Sequence, residues 1–149
     1  MSAALHLCAP EDMDRLLPLA AACLAEAGHS ADPQALREAL APLLEGLPHG
    51  VAYLIGPHRA PVGHIVISFG YSLEAGGITA IIDQFRIRPN VRGRGMGGEV
   101  LAALVPALAG HGVKSLAVRL PPGSRARGVF ARAGLAPHEG YQPMARLLG

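Results

Sequence analysis

Tryptophan is absent from this 149-residue chain, Tyr and Phe contribute three residues each, and lysine occurs once, at Lys114. A core must then be packed by Leu, Ala, Val and Ile. Half the residues are hydrophobic, and a single domain of this size buries roughly two thirds of its unfolded surface, so no staple is required. Cysteine is scarce too. Cys8 and Cys23 stand alone, with no C-x-x-C pair and no Cys/His cluster at metal-ligand spacing. Neither a disulfide framework nor a bound metal is expected, and both thiols read as small buried hydrophobes. No apolar run approaches 18 residues, which excludes a membrane-spanning helix. Near the start, His6, Glu11, Asp12 and Asp14 replace the basic and apolar regions of a leader, so a cytoplasmic location is expected. A net charge of +2, with acids interspersed, is too small for a nucleic-acid surface.

What is present is a set of short, well-punctuated elements. Residues 4–8 alternate as a strand, and Pro10-Glu11-Asp12 supplies proline and acids for a first helical turn. Met13, Leu16, Leu17, Ala20, Ala21 and Leu24 then make one helical face that Gly28 stops. Pro18 inside that pattern predicts a kink or a later start. Asp32 as N-cap and Pro33 open a second helix with the stripe Leu36, Leu40, Leu43, Leu44, Leu47, and Pro42 predicts a bend or early end. Residues 51–55, 61–72 and 78–87 read as three strands of an antiparallel meander. A helix over Val100, Leu101, Leu104, Val105 and Leu108 ends at Gly110, and its crossover makes the next strand, 113–120, parallel to 78–87. A short helix over 124–133 and a last strand near 141–147 complete the order β α α β β β α β α β. This is one α/β domain with a mixed sheet.

The most informative stretch follows strand 78–87. Arg92-Gly93-Arg94-Gly95-Met96-Gly97-Gly98 places four glycines in six positions between a strand and a helix. Glycines let main-chain N–H groups converge on one anion, and the helix N-terminus adds its own unpaired donors. Arg92 and Arg94 stand ready for a phosphate. A Walker A loop is excluded, because no Lys and no Ser/Thr follows the glycines. Gly93, Gly95 and Gly98 satisfy G-x-G-x-x-G, yet five residues separate them from the strand and Ala117-Val118-Arg119 stands where a ribose-binding acid belongs. An NADP site using Arg119 and a plain strand-to-helix connection remain open on spacing alone.

Arg92-Gly93-Arg94-Gly95-Met96-Gly97, preceded by Phe85-Arg86-Ile87-Arg88-Pro89, resembles the [Q/R]-x-x-G-x-[G/A] pyrophosphate loop of the GCN5-related N-acetyltransferases, the GNAT family. The likeness extends over the chain, from the two early helices to Ala126-x-x-x-Phe130-x-x-x-Gly134-Leu135. It implies a GNAT-like α/β fold, with a mixed, mostly antiparallel twisted sheet, parallel splayed central strands and flanking helices. It also implies acetyl-CoA as cofactor, its pantetheine arm along Phe85, Arg86 and Ile87 and its diphosphate in the turn formed by Arg92, Gly93, Arg94, Gly95, Met96, Gly97 and Gly98. Transfer to a primary amine, on a small molecule or a peptide, is the implied activity, and a homodimer through sheet edges or the last strand the implied assembly. No nucleic-acid or membrane partner is expected.

Asp83 interrupts an apolar strand just before the cofactor segment, where burial would suit a general base; it also counts as a substrate residue. In the resemblance, Phe85 or Ile87 offers the N–H that polarises the thioester carbonyl. Phe130, on the cofactor side, stands where the family's tyrosine commonly protonates the leaving thiolate, and Gly123 replaces an Asn. Ser124, Tyr141 or water must then supply the proton, with Tyr141 the candidate acid. His29 and Asp32 between the early helices, and Glu74 before the loop strand, are candidates for the acceptor pocket. His64 reads as a hydrogen-bonded sheet residue. The missing Tyr and Asn leave a second expectation open, an acyl-CoA-binding sensor without catalysis.

Overall fold

A computed structural model describes residues 3–138 and 140–149. Its five-stranded sheet runs in sequence order, β1 (Leu5–Leu7), β2 (Gly50–Ile55), β3 (Gly63–Ser72), β4 (Gly77–Ile87) and β5 (Ser115–Val118). Neighbours are antiparallel up to β4, and β5 joins β4 in parallel. Helices α1 (Met13–Glu26) and α2 (Pro33–Leu44) enter between β1 and β2, α3 (Met96–Gly110) makes the crossover from β4 to β5, and α4 (Arg127–Arg132) follows. The meander, the parallel pair and the flanking helices are as the sequence implies. Among the described residues no helix is long and apolar enough to cross a membrane.

The sheet is covered on both faces. On one, Leu16, Leu19 and Ala20 of α1 and Leu40 and Leu44 of α2 close over Cys8, Ala52, Leu54 and Val66. On the other, Val100, Leu101 and Leu104 of α3 and Phe130 of α4 close over Ile55, Ile65, Ile67, Ala80 and Ile82. Leu16, Leu54, Ile65, Ile67 and Leu101 are wholly buried, each worth about 1.5–3 kcal/mol of transfer free energy. The connection before α1 is pinned electrostatically. Asp12 is buried, accepts from the Ala9 N–H at 2.8 Å, and meets His58 Nε2 at 2.7 Å and Arg15 at 3.1 Å. Burial opposes its charge, but those partners outweigh burial and hold the carboxyl below the usual carboxylate range.

Two expectations are corrected. Pro18 does not start α1, which runs unbroken from Met13; the ring is on the exposed side, where water can take the carbonyl that loses its bond. Pro42 lies inside α2, which ends two residues on at Leu44, short of the stripe's Leu47. Residues 141–149 form no strand. Pro143 lacks an N–H, and no neighbouring strand takes up the segment's backbone groups: β5 pairs with β4 alone among the described residues.

Candidate functional site

The β4–β5 pairing stops at Ile82↔Val118. At the next residue β4 slips out of register with β3, since Val66 faces Gln84 while Ile67 faces Ile82, and Asp83 is the extra residue of a β-bulge. The slip changes which face each residue serves. Ala80 and Ile82 pack toward α3, and beyond the bulge Phe85 and Ile87 do so. Gln84 and Arg86 instead reach α1: Gln84 Nε2 donates to Ala20 O at 3.4 Å, and Arg86 pairs with Glu26 at 2.9 Å. From Asp83 onward, one edge of β4 has no strand partner among the described residues.

At that open end lies the glycine turn. Gly93 and Gly95 have φ of +79° and +81°, and Gly95 caps α3 in the left-handed conformation that residues with a Cβ rarely adopt. The first bond into the helix is Glu99 N–H to Gly95 O at 3.0 Å, so the N–H groups of Met96, Gly97 and Gly98 leave the helix end without helical acceptors. Nothing stands within 4 Å of the place a Cβ would take at Gly93, Gly95 or Gly98, whereas at Gly97 it would meet Val129 Cγ1 at 3.3 Å. One side of the turn is therefore open and the other packs tightly on α4. Met96 is buried under it, and Arg94 is exposed with no ion pair among the described residues. Such an arrangement can receive an anion.

Arg92 does not face the turn as expected. Its Nε donates to Ile87 O at 2.7 Å, and one terminal nitrogen reaches both oxygens of Glu26 at 2.9 Å. The same carboxylate takes the Arg86 Nε at 3.0 Å. Burial raises the Glu26 carboxyl, but the two guanidinium groups outweigh it and hold the pKa below the ordinary value. One helical turn earlier, burial pushes the Cys23 thiol up; the nearby Phe85 backbone N–H opposes the rise, and Glu26 and Asp83 add to it. The last turn of α1 thus lies along the segment 84–86.

Other candidates sit as follows. Asp83 is not buried: its side chain is 54% exposed and 3.9 Å from Arg119. The bulge turns it outward, beside the end of α1. Phe130 is buried and meets Phe85 edge to face, centroids 6.1 Å apart. His29 lies in an exposed connection three residues after Glu26, with its N–H on Leu24 O. Asp32 is occupied as the cap of α2 through Ala35. Tyr141 and Glu74 belong to another place. The Tyr141 hydroxyl donates to Glu74 at 2.8 Å, in the β3–β4 turn next to Gly77. Gly77 lies six residues, roughly 20 Å of strand, from Asp83. That bond and the Glu74 charge hold the phenol proton more tightly than usual, the opposite of what an acid for this site needs. An open apolar depression of about 840 Å³ runs along the outer side of β5, lined by Leu116, Val118, Leu120, Phe130 and Leu135. It does not include the turn or Asp83.

Sequence reasoning missed Glu26, Cys23 and Gln84. A lone acid on the last turn of α1, against the helix dipole, was a signal for Glu26. Gln84 is held by His64, whose Nε2 lies 2.7 Å from its Oε1.

The sequence model of the Acetyltransferase (GNAT) family matches residues 13–135, and the chain belongs to that family. Among solved structures it is 30% identical to the integron cassette protein HFX_CASS3 from the mobile metagenome of Cole Harbour Salt Marsh, over 97% of this chain and 90% of that one, with a TM-score of 0.83. A putative acetyltransferase from Arthrobacter sp. FB24 is 25% identical over 98% and 94%, with a TM-score of 0.76. A predicted acetyltransferase from Clostridium acetobutylicum, solved with acetyl-CoA, shares the fold at 14% identity, over 95% of each chain, with a TM-score of 0.78. No curated protein matches at a significant level. The protein is a GNAT-fold acetyltransferase.

Proposed function

We propose that the protein transfers an acetyl group from acetyl-CoA to a primary amine, on a small molecule or a peptide, by direct attack in a ternary complex. The observation that carries this reading is the meeting, at one end of β4, of an unpaired strand edge with an open glycine turn at the start of α3. The residues present fit the cofactor. The turn offers N–H groups and open space to a diphosphate, with Arg94 beside it. Phe85 and Ile87 offer edge groups to an extended pantetheine arm, as a sheet edge does to an added strand.

Bound acetyl-CoA supplies an activated carbonyl and a thiolate leaving group. The chain's contribution is positional and electrostatic. The Phe85 N–H, on the open edge, is aimed where negative charge develops on the carbonyl oxygen. Asp83, thrust out by the bulge, takes the proton from the attacking amine directly or through a water. Phe130 has no proton to give. Ser124 Oγ accepts from the Ala126 N–H, which leaves its O–H proton available. Ser124 or water protonates the thiolate, tolerable for a thiol of pKa about 8.5. His29 and its connection cover the acceptor side.

Phe130 and the exposed Asp83 favour a second reading, a CoA-binding sensor that does not turn over. A thiol-release assay with acetyl-CoA and a panel of amines, run beside calorimetry with CoA, separates the two. Turnover of any amine supports the enzyme; tight binding without turnover supports the sensor; no binding removes both. We also propose that two copies pair along the outer edge of β5. Support comes from that edge's lack of a strand partner among the described residues and from Met144, Leu147 and Leu148, each above 90% exposed. Sedimentation of a protein lacking residues 141–149 should show a monomer where the full chain shows a dimer.

A further inference from the structure

The open edge of β4 is not idle. Arg88 N–H bonds Val62 O on β3 at 2.7 Å. By the alternation of an antiparallel ladder, Phe85 and Ile87 therefore direct their N–H and C=O groups to the open side. Both residues already have neighbours in the chain itself. The Cys23 thiol lies near the Phe85 backbone N–H, and Ile87 O accepts from Arg92 Nε at 2.7 Å. Arg92 is in turn tied to Glu26. The groups assigned to the pantetheine arm and the charge next to the diphosphate turn are thus held by the last turn of α1.

The two arginines on Glu26 are not equivalent. The Arg86 side chain is 12% exposed, so its charge depends on a protein anion, while that of Arg92 is 46% exposed and free to exchange partners. A diphosphate seated one residue beyond Arg92 offers that guanidinium two negatively charged oxygens in the fork geometry it binds best. Glu26 then keeps Arg86 alone. The carboxylate sits at a helix C-terminus, where negative charge is already disfavoured, so loss of one of its two partners loosens the end of α1 and the connection 27–32 that follows it. We infer that Glu26 competes with the cofactor's diphosphate for Arg92, setting cofactor affinity and coupling cofactor entry to release of the acceptor-side connection.

This inference rests on the acetyl-CoA reading, and its test distinguishes the two. CoA affinity is measured by calorimetry at low ionic strength for the full chain, Glu26→Gln, Arg92→Gln and the double variant. Glu26→Gln keeps an acceptor for Arg86 while freeing Arg92, and should bind CoA about three- to tenfold more tightly than the parent, an effect that fades in high salt. Glu26→Asp, charged but too short to hold both arginines, should shift affinity in the same direction. In the Arg92→Gln background the Glu26 substitution should change nothing, a non-additivity that a merely structural role would not produce. If Glu26→Gln binds CoA no better than the parent, or improves it equally with and without Arg92, the competition is refuted while the cofactor reading stands. If no protein in the set binds CoA, the cofactor reading itself falls and this inference with it.

Discussion

His64 carries a prediction that needs no ligand. The residue is wholly buried, opposite Arg86 across the β3–β4 ladder. Its Nε2 lies 2.7 Å from Gln84 Oε1. An amide oxygen only accepts, so Nε2 carries the proton and Nδ1 is the bare nitrogen, with no hydrogen-bond partner. A second proton would place an uncompensated charge in the core beside Arg86. Burial therefore lowers the pKa from 6.5 to about 4; the Gln84 bond resists the fall and the Arg86 charge assists it. The sign follows from linkage. The unfolded chain takes up this proton near pH 6.5 and the folded chain only near pH 4, so stability is full above 6.5 and declines as pH falls through that window. The difference amounts to about 3 kcal/mol once pH is below both values, and about 2 kcal/mol of it is lost by pH 5. Asp12 and Glu26 have lowered folded-state values, so their stabilisation is lost at more acid pH, below the ordinary carboxylate range. Urea unfolding between pH 7.5 and 5 should show the midpoint falling by about 1 M in the parent. In His64→Gln, less stable throughout, that part of the slope should vanish. Equal slopes in the two proteins would refute the assignment of a buried neutral imidazole.

Other consequences are open to direct measurement. Asp83→Asn should lower turnover by about 10²–10³-fold, within the range for loss of a general base, with CoA affinity nearly unchanged; an unaltered rate removes Asp83 from the mechanism. Cys23, half-buried beside the Phe85 backbone and with its thiol pKa raised by burial, should react slowly with iodoacetamide, while Cys8, buried and pushed up to about 12, stays intact. CoA at ten times its Kd should slow the Cys23 reaction roughly tenfold if both claim the same strand edge, which peptide mass spectrometry reads. Failure of CoA to protect Cys23 would place the cofactor elsewhere.

The order of elements was legible because glycines and caps punctuate it: Gly28 and Gly95 both take positive φ at helix boundaries, and Asp32 caps α2 as its position suggested. The glycine turn was legible for the same reason, since local backbone demands leave local marks. The bulge left a mark that went unread. The core-facing apolar positions fall on even numbers at Ala80 and Ile82 and on odd numbers at Phe85 and Ile87, a change of phase that requires one extra residue between them. What could not be read was the pairing of residues far apart in the chain. Arg92 looked free for a phosphate because its partner Glu26 lies 66 positions away, and Tyr141 looked available as an acid because its bond to Glu74 spans 67. The strand expected near 141–147 holds Pro143 and the apolar run Pro143-Met144-Ala145, and a strand is stabilised by a neighbour that single-chain patterning does not reveal.

The central claim is that main-chain groups of the turn around Gly95 grip the diphosphate of CoA. Calorimetry of CoA with the parent protein and with Gly95→Val tests it most directly. Valine at φ of +81° is strained by roughly 1–2 kcal/mol and puts methyl groups into the open cradle. The expected result is micromolar binding by the parent and none detectable by a still-folded variant. Absence of binding by the parent, or equal binding by both, would contradict the account.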